Sequence, residues 1–447
     1  MKRTFLIIGL SGLFLNACVS ASSMRSEAPQ YDRHSQLAVL LESADTAYTE
    51  QVFSDPAQAQ RFALSLSPRV QQILAELQIQ DADLWQQQLL SNPEFELGLM
   101  MPEDGGRWQL DAGISIPLVD ILTRSKRLEV AESRHELWQL TALRDLTLFL
   151  QDVRQSWIEL VSERHKYSII QTITEASSVA SELAGLMYEA GNLTELDYLG
   201  YQAALAEQRI RLDQTKAHAE AAESRLRALL GLEAEASFQV PDRLPEIHTR
   251  TDVKTHDFAT VWDTARQTMP ELQLLNAQLK LREADLAQLS QEIALMSPGL
   301  HLETERESDG ERKHGLAISL KPVVFDRGQA RFAALNARTL LLQAQASQLE
   351  NKLSDQLRQA FIQREQSSKS IRQLDQADLP RLEQMLNLAV REYDFMLRGS
   401  FDLLKIRGMA LDRQLQRVEL LASFWNSSAE IARFSGQLTV AQGEQHD

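Results

Sequence analysis

The side chains able to do covalent chemistry are few and scattered. The nine histidines are dispersed, with none at the i, i+4 spacing that sets two imidazoles on one helical face around a metal. Met100-Met101 puts one thioether on each face of an alternating segment, which does not build one soft-metal site. No Gly-rich phosphate loop, nucleophile elbow or paired acid–base motif is present, so no enzyme is expected. What stands out is a twelve-residue stretch, rich in tyrosine and carboxylate, that occurs twice: Tyr188-Glu189-Ala190-Gly191-Asn192-Leu193-Thr194-Glu195-Leu196-Asp197-Tyr198-Leu199 and Tyr393-Asp394-Phe395-Met396-Leu397-Arg398-Gly399-Ser400-Phe401-Asp402-Leu403-Leu404. Tyrosine, aspartate and closing leucine share one offset of 205 positions. The chemistry open to these residues is electrostatic: carboxylates suit the first turn of a helix, and a ring of them favours cations.

Each stretch lies between two long helical patterns, and a glycine there fits a sharp turn between antiparallel helices. Before the first tip, about Ile121 to Ala190 has no proline, and apolar residues at 146, 149, 150, 153, 157, 160 and 161 form a helical stripe. Such a helix is on the order of 100 Å long at 1.5 Å per residue. A returning helix runs to Leu230-Gly231-Leu232. The second half repeats the programme, with a long helix from about Asp326 to Leu397 that Pro380 should bend. Its returning helix carries Leu404, Leu411, Val418 and Trp425 seven apart, with Leu415 and Ala422 on the other seam position, a heptad pattern. Helices are also expected from His34 to about Glu50, from Ser67-Pro68 to about Leu90, and from Phe258 to Met296 with a break at Met269-Pro270.

Ahead of each long helix the period changes to two. Phe95, Leu97, Leu99 and Met101, then Trp108, Leu110, Ala112, Ile114 and Ile116, alternate with small or polar residues. Leu300, Leu302, Thr304 and Arg306, then Leu316, Ile318 and Leu320, do the same. These are two hairpins, each with one apolar face.

The formal charge of −16 argues against nucleic acid as a partner. Lys2 and Arg3 precede an apolar run, Phe5 to Leu15, too short to span a bilayer. Leu15-Asn16-Ala17-Cys18 resembles a bacterial lipobox, which implies cleavage before Cys18 and a covalent lipid on it. Cys18 is the only cysteine, so no intrachain disulfide forms. Val19 after it favours the outer membrane as the address. The expected organisation is a signal peptide at 1–17, a lipidated tether at 18–33, a first repeat at 34–232 with hairpin 94–117 and tip 188–199, a linker at 233–257, a second repeat at 258–437 with hairpin 299–322 and tip 393–404, and a tail at 438–447.

Four strands are too few to close a membrane barrel, which uses about eight at the least, and open strand edges cannot sit in lipid. The sequence therefore implies an oligomer. Three copies would supply a twelve-stranded barrel. The expected fold is mainly α with a small membrane β part: a duplicated helix–hairpin–long helix–helix unit, trimeric, with twelve strands and twelve helical passes.

This order of elements resembles the TolC-like outer-membrane efflux family along nearly the whole mature chain. Carrying the likeness are Asn92-Pro93-Glu94 before the first hairpin, Gly113-Ile114-Ser115-Ile116-Pro117-Leu118 and Ala317-Ile318-Ser319-Leu320-Lys321-Pro322-Val323 entering the long helices, and Leu229-Leu230-Gly231-Leu232 closing the first half. The resemblance implies a homotrimeric conduit, a twelve-stranded β-barrel in outer-membrane lipid continuing into an α-helical periplasmic tunnel, docked on a periplasmic adaptor and an inner-membrane transporter. It further implies a periplasmic gate of Asp197, Tyr393, Arg398 and Asp402, with Tyr393 and Arg398 bonding toward the region of Asp197 and Asp402 lining the constriction. Where some members have a further aspartate this chain has Lys405. Gly191, Asn192, Leu193, Thr194, Gly399 and Ser400 become adaptor-contact tips. The second tip is similar to a metal-efflux subgroup. Met396 stands where many members have glycine and is read as a packing residue. Drug or metal efflux and type I protein secretion stay open as alternatives. A lipid-anchored coiled-coil scaffold without a pore is the reading from another class, and it has no use for a lipid-facing strand face.

Overall fold

The computed structural model describes residues 31–44, 51–101, 108–247, 257–306 and 311–436. Cys18 and the signal and tail segments lie outside these. In chain order the elements are α1 Ser35–Ala44, α2 Pro56–Leu66, α3 Pro68–Gln88, β1 Glu94–Met100, β2 Gln109–Ile116, α4 Leu118–Leu122, α5 Arg124–Glu189, α6 Glu195–Leu230, α7 Phe258–Thr268, α8 Pro270–Leu295, β3 Gly299–Arg306, β4 Arg312–Ser319, α9 Gln329–Gln373, a π-turn Leu374–Asp378, α10 Leu379–Asp394 and α11 Ser400–Phe434.

The 66-residue α5 is the spine. The stripe from Leu146 to Val161 is buried along its length, because apolar side chains three and four apart share one face. Leu411, Leu415 and Val418 of α11 pack on Ile169, Ile170 and Ile173 of α5, so the heptad seam joins the two halves. Helix α2 is absent from the sequence expectations. Its signal was there: Asp55 accepts from Gln58 N at 2.8 Å, with Pro56 at the first helical position. Ser67 sits at the N-cap of α3 but makes no side-chain cap bond. Instead it is wedged beneath Gly231, whose φ is +75° and where a Cβ would lie 2.7 Å from Pro68 Cδ and 3.0 Å from Ser67 Cα. Only glycine fits there.

The main core gathers the N-terminal segment, the middle of α5, the linker and α11. Trp157 is fully buried and donates from Nε1 to Phe53 O at 3.0 Å. Phe53, Phe62, Phe238, Leu244 and Phe424 join it. The N-terminal segment zips to the linker through Phe53 N to Gln239 O at 2.8 Å and Gln239 N to Gln51 O at 2.9 Å. Of the stretch read as a tether, Tyr31, Asp32 and Arg33 are docked. Arg33 forks onto Asp81 at 3.2 and 2.8 Å, and His135 Nε2 lies 2.7 Å from the same carboxylate.

The strands form one antiparallel sheet in the order β1-β2-β3-β4. The register puts Phe95, Ile114, Leu302 and Leu316 in one row. All four are exposed. The opposite face carries Glu94, Glu96, Asp111, Glu303 and Glu305, with His301 and Lys313. Glycines Gly98, Gly113 and Gly315 stand beside these acids in the register. Among the described residues no helix is long and apolar enough to cross a membrane.

Candidate gate at the helical tips

Both tips close with the same backbone bonds. In the first, Asn192 N donates to Met187 O and Gly191 N to Tyr188 O; in the second, Leu397 N donates to Glu392 O and Met396 N to Tyr393 O. This closure needs a left-handed residue. Gly191 supplies it at φ +74°, whereas Met396 adopts φ +58°, a conformation that costs a side-chain-bearing residue roughly 1–2 kcal/mol. Met396 is also 93% exposed within the single chain.

The tips differ again at the next helix start. Thr194 Oγ1 accepts from Asp197 N at 3.1 Å and donates to Asp197 Oδ2 at 2.6 Å. Gly399 holds the equivalent N-cap position with no side chain to offer. Asp402, the counterpart of Asp197, consequently makes no hydrogen bond or ion pair among the described residues. The second tip is thus the less secured of the two, and its carboxylate is uncommitted.

The expected gate residues are only partly brought together. Arg398 donates from Nε to Glu392 Oε2 at 2.6 Å, within its own tip. A bond from Arg398 or Tyr393 toward Asp197 is not formed inside one chain. Tyr393 is half exposed. Gly191, Asn192, Thr194 and Gly399 are exposed, and Leu193 and Ser400 partly so. The residue that joins the tips is Tyr201, which the sequence reading missed. Its ring stacks on Phe401 with centroids 4.3 Å apart and planes at 22°. Burial raises its hydroxyl pKa, and Asp197 and Asp402 add to the rise, so both aspartates flank one tyrosine. A second stack, Tyr188 on Tyr198 at 5.2 Å, stiffens the first tip.

Above the second tip the long helix is interrupted at Pro380, where a bend was expected. The structure has a π-turn, Leu374–Asp378, immediately before it. Proline lacks the N–H that would continue the helical ladder and crowds the preceding turn. Asp375 of this turn is gripped by Arg417 of α11, Nε to Oδ1 at 2.6 Å and Nη2 to Oδ2 at 3.1 Å. The same guanidinium holds Glu246 of the linker, Nη1 to Oε1 at 3.1 Å. These bonds raise the Arg417 pKa further above its ordinary value. Trp425 Nε1 donates to Pro245 O at 2.9 Å beside them. The linker is therefore clamped across the interrupted helix and its return.

His165 of α5 faces this clamp. Burial lowers its pKa, and Arg243 and Arg417 lower it further against Glu246 and Asp242. Folded His165 holds a proton less tightly than unfolded histidine, so acid favours unfolding. Its contribution is complete above about pH 6.5 and declines as pH falls below that. His165→Gln is expected to flatten the thermal stability profile across this range; an unchanged slope would assign the acid sensitivity to other groups.

No protein-family model and no curated protein sequence matches the chain. Solved structures match its shape. The outer-membrane channel OprN aligns with a TM-score of 0.68 at 18% identity, over 92% of this chain and 94% of its own. The outer membrane protein VceC of Vibrio cholerae aligns at 0.65 and 16% identity, over 90% and 96%. The open state of the MtrE outer membrane channel of Neisseria gonorrhoeae aligns at 0.64 and 16%, over 93% and 99%. The chain has the fold of these outer-membrane channels.

Proposed function

We propose that this protein is the outer-membrane channel of a tripartite efflux system, a passive conduit without enzymatic activity. One observation carries the reading: a four-stranded sheet with both edge strands open and an exposed apolar face stands on paired long helices. Open edges are not tolerated in lipid, and so large an apolar face on a soluble surface marks an interaction site. Three copies pair β4 of one sheet with β1 of the next, closing a twelve-stranded barrel in the outer membrane. The helices continue as a periplasmic tunnel. Cys18 carries a lipid that anchors the N-terminal segment, and the tips meet a periplasmic adaptor that couples the channel to an inner-membrane transporter. The fold shared with OprN, VceC and MtrE supports this assembly.

In that trimer the acidic face of each sheet lines the pore. The three Asp402 carboxylates ring the tip constriction, where like charges held close are poorly screened, and such rings favour cations. Tyr393, half exposed, reaches the neighbouring chain's tip near Asp197, and Arg398 does so by exchanging its bond to Glu392. Purified protein in planar bilayers is expected to give discrete, cation-preferring conductance steps. Asp402→Ala should reduce both the preference and block by trivalent cations. Protein that inserts without conducting would overturn the reading.

A further inference from the structure

The apolar face of the sheet is not uniform. Two rows near the helices are apolar: Ile116, Leu300 and Ile318, then Phe95, Ile114, Leu302 and Leu316; in the next, Leu97 and Ala112 stand beside Thr304 and His314 of the second hairpin. At the row farthest from the helices the two hairpins part. The first keeps Leu99 and Leu110, while the second presents Arg306 directly opposite Arg312. Side chains so paired have Cβ atoms about 5 Å apart, and like charges there repel. Both arginines are exposed, and neither makes an ion pair among the described residues. Within its two strands the carboxylates, Glu303 and Glu305, point to the other face by register; Glu307, Asp309 and Glu311 follow in the sequence that joins the strands. His314 Nδ1 lies 3.1 Å from Thr304 Oγ1, one row below.

We propose that the Arg306–Arg312 pair is a binding site for a phosphate-bearing lipid headgroup of the outer leaflet. This rests on the barrel reading, in which the apolar face meets lipid and the hairpin ends point outward. Arg306 lies about 20 Å along the strand from Leu300. Exposed arginine is poorly tolerated at mid-bilayer depth but readily at the interface, so the pair marks headgroup level. Two adjacent guanidiniums match the geometry of a phosphate monoester, which accepts paired N–H bonds. A phosphate there removes the repulsion of the pair, and the apolar rows beneath accommodate the acyl chains. Each chain has one such site, since Leu99 and Leu110 occupy the equivalent place in the first hairpin.

The test is titration of full-length, detergent-assembled protein with fluorescent bisphosphorylated lipid A. Its dephosphorylated form and inorganic phosphate are the other arms. Arg306→Gln with Arg312→Gln should weaken lipid binding about tenfold or more, as loss of two charge-assisted contacts requires. The corresponding double lysine variant should retain most of it. Dephosphorylated lipid should bind the natural chain as weakly as the intact lipid binds the double glutamine variant. Millimolar inorganic phosphate should not displace the lipid. Equal binding by the glutamine variant would overturn the proposal, leaving the arginines to be neutralised within the hairpin or by solvent. Displacement by inorganic phosphate would overturn a lipid as the ligand. Single-channel recordings on the same preparations separate the two readings: variants that conduct normally yet bind lipid unchanged sink the site alone, whereas a natural chain that never conducts sinks the barrel and the site with it.

Discussion

Asp81→Ala is expected to cost about 3 kcal/mol, the lower end for breaking a buried charge pair. The carboxylate is buried and serves two elements at once: Arg33 in the N-terminal segment and His135 on α5. Removing it leaves the Arg33 guanidinium without its carboxylate and His135 Nε2 without its hydrogen-bond partner. Arg33 keeps 27% side-chain exposure, and water reaching it holds the loss to that lower end. The consequence is local before it is global. Gln139 also holds this segment, accepting from His34 N at 2.8 Å and donating to Asp32 O at 2.9 Å, but those bonds alone do not keep Leu37 and Leu40 in the core. Protease cleavage in residues 31–44 should therefore accelerate well before the helices unfold, read by limited proteolysis alongside chemical denaturation. Asp81→Asn, which keeps the shape and part of the bonding, should fall between. Equal resistance of the alanine variant would show that the segment is held by its apolar contacts.

Tyr201→Ala should open the tips. The Tyr201–Phe401 stack joins the first tip to the second, and an aromatic pair contributes about 0.5–1.5 kcal/mol beyond burial. Each kcal/mol is about a fivefold change in a two-state equilibrium. If three chains open together the shift multiplies, and open-state dwell in planar bilayers should rise by one to three orders of magnitude, on the order of the summed contacts. Tyr201→Phe keeps the stack and removes only the hydroxyl, so it should stay close to the natural chain. Opening by the phenylalanine variant as large as by alanine would assign closure to the hydroxyl; no opening by either would place the gate away from this contact.

Local periodicity made the architecture legible. The buried stripe of α5, the α11 seam and the four alternating strands are all one-dimensional patterns, and each reports a face that something must cover. The turn residues were legible for the same reason, as Gly191 and Gly231 show. What stayed hidden depends on contacts between distant segments. Tyr201 on Phe401, and Arg417 across Asp375 and Glu246, join residues that no spacing rule connects. The π-turn was half legible: Pro380 announces an interruption, but its form is set by the backbone around it. Met396 aligns with Gly191 at the offset of 205, so its left-handed place was legible, but the exposure of its side chain was not. Helix α2 was legible through Asp55-Pro56.

Four strands are too few to close a membrane barrel within one chain. The most direct measurement is the native mass of the purified, detergent-solubilised protein. Three chains per particle, persisting on dilution, is the predicted result. A particle of one or two chains that still inserts and conducts would contradict it, because neither four nor eight strands of this register could enclose a tunnel built from the paired long helices.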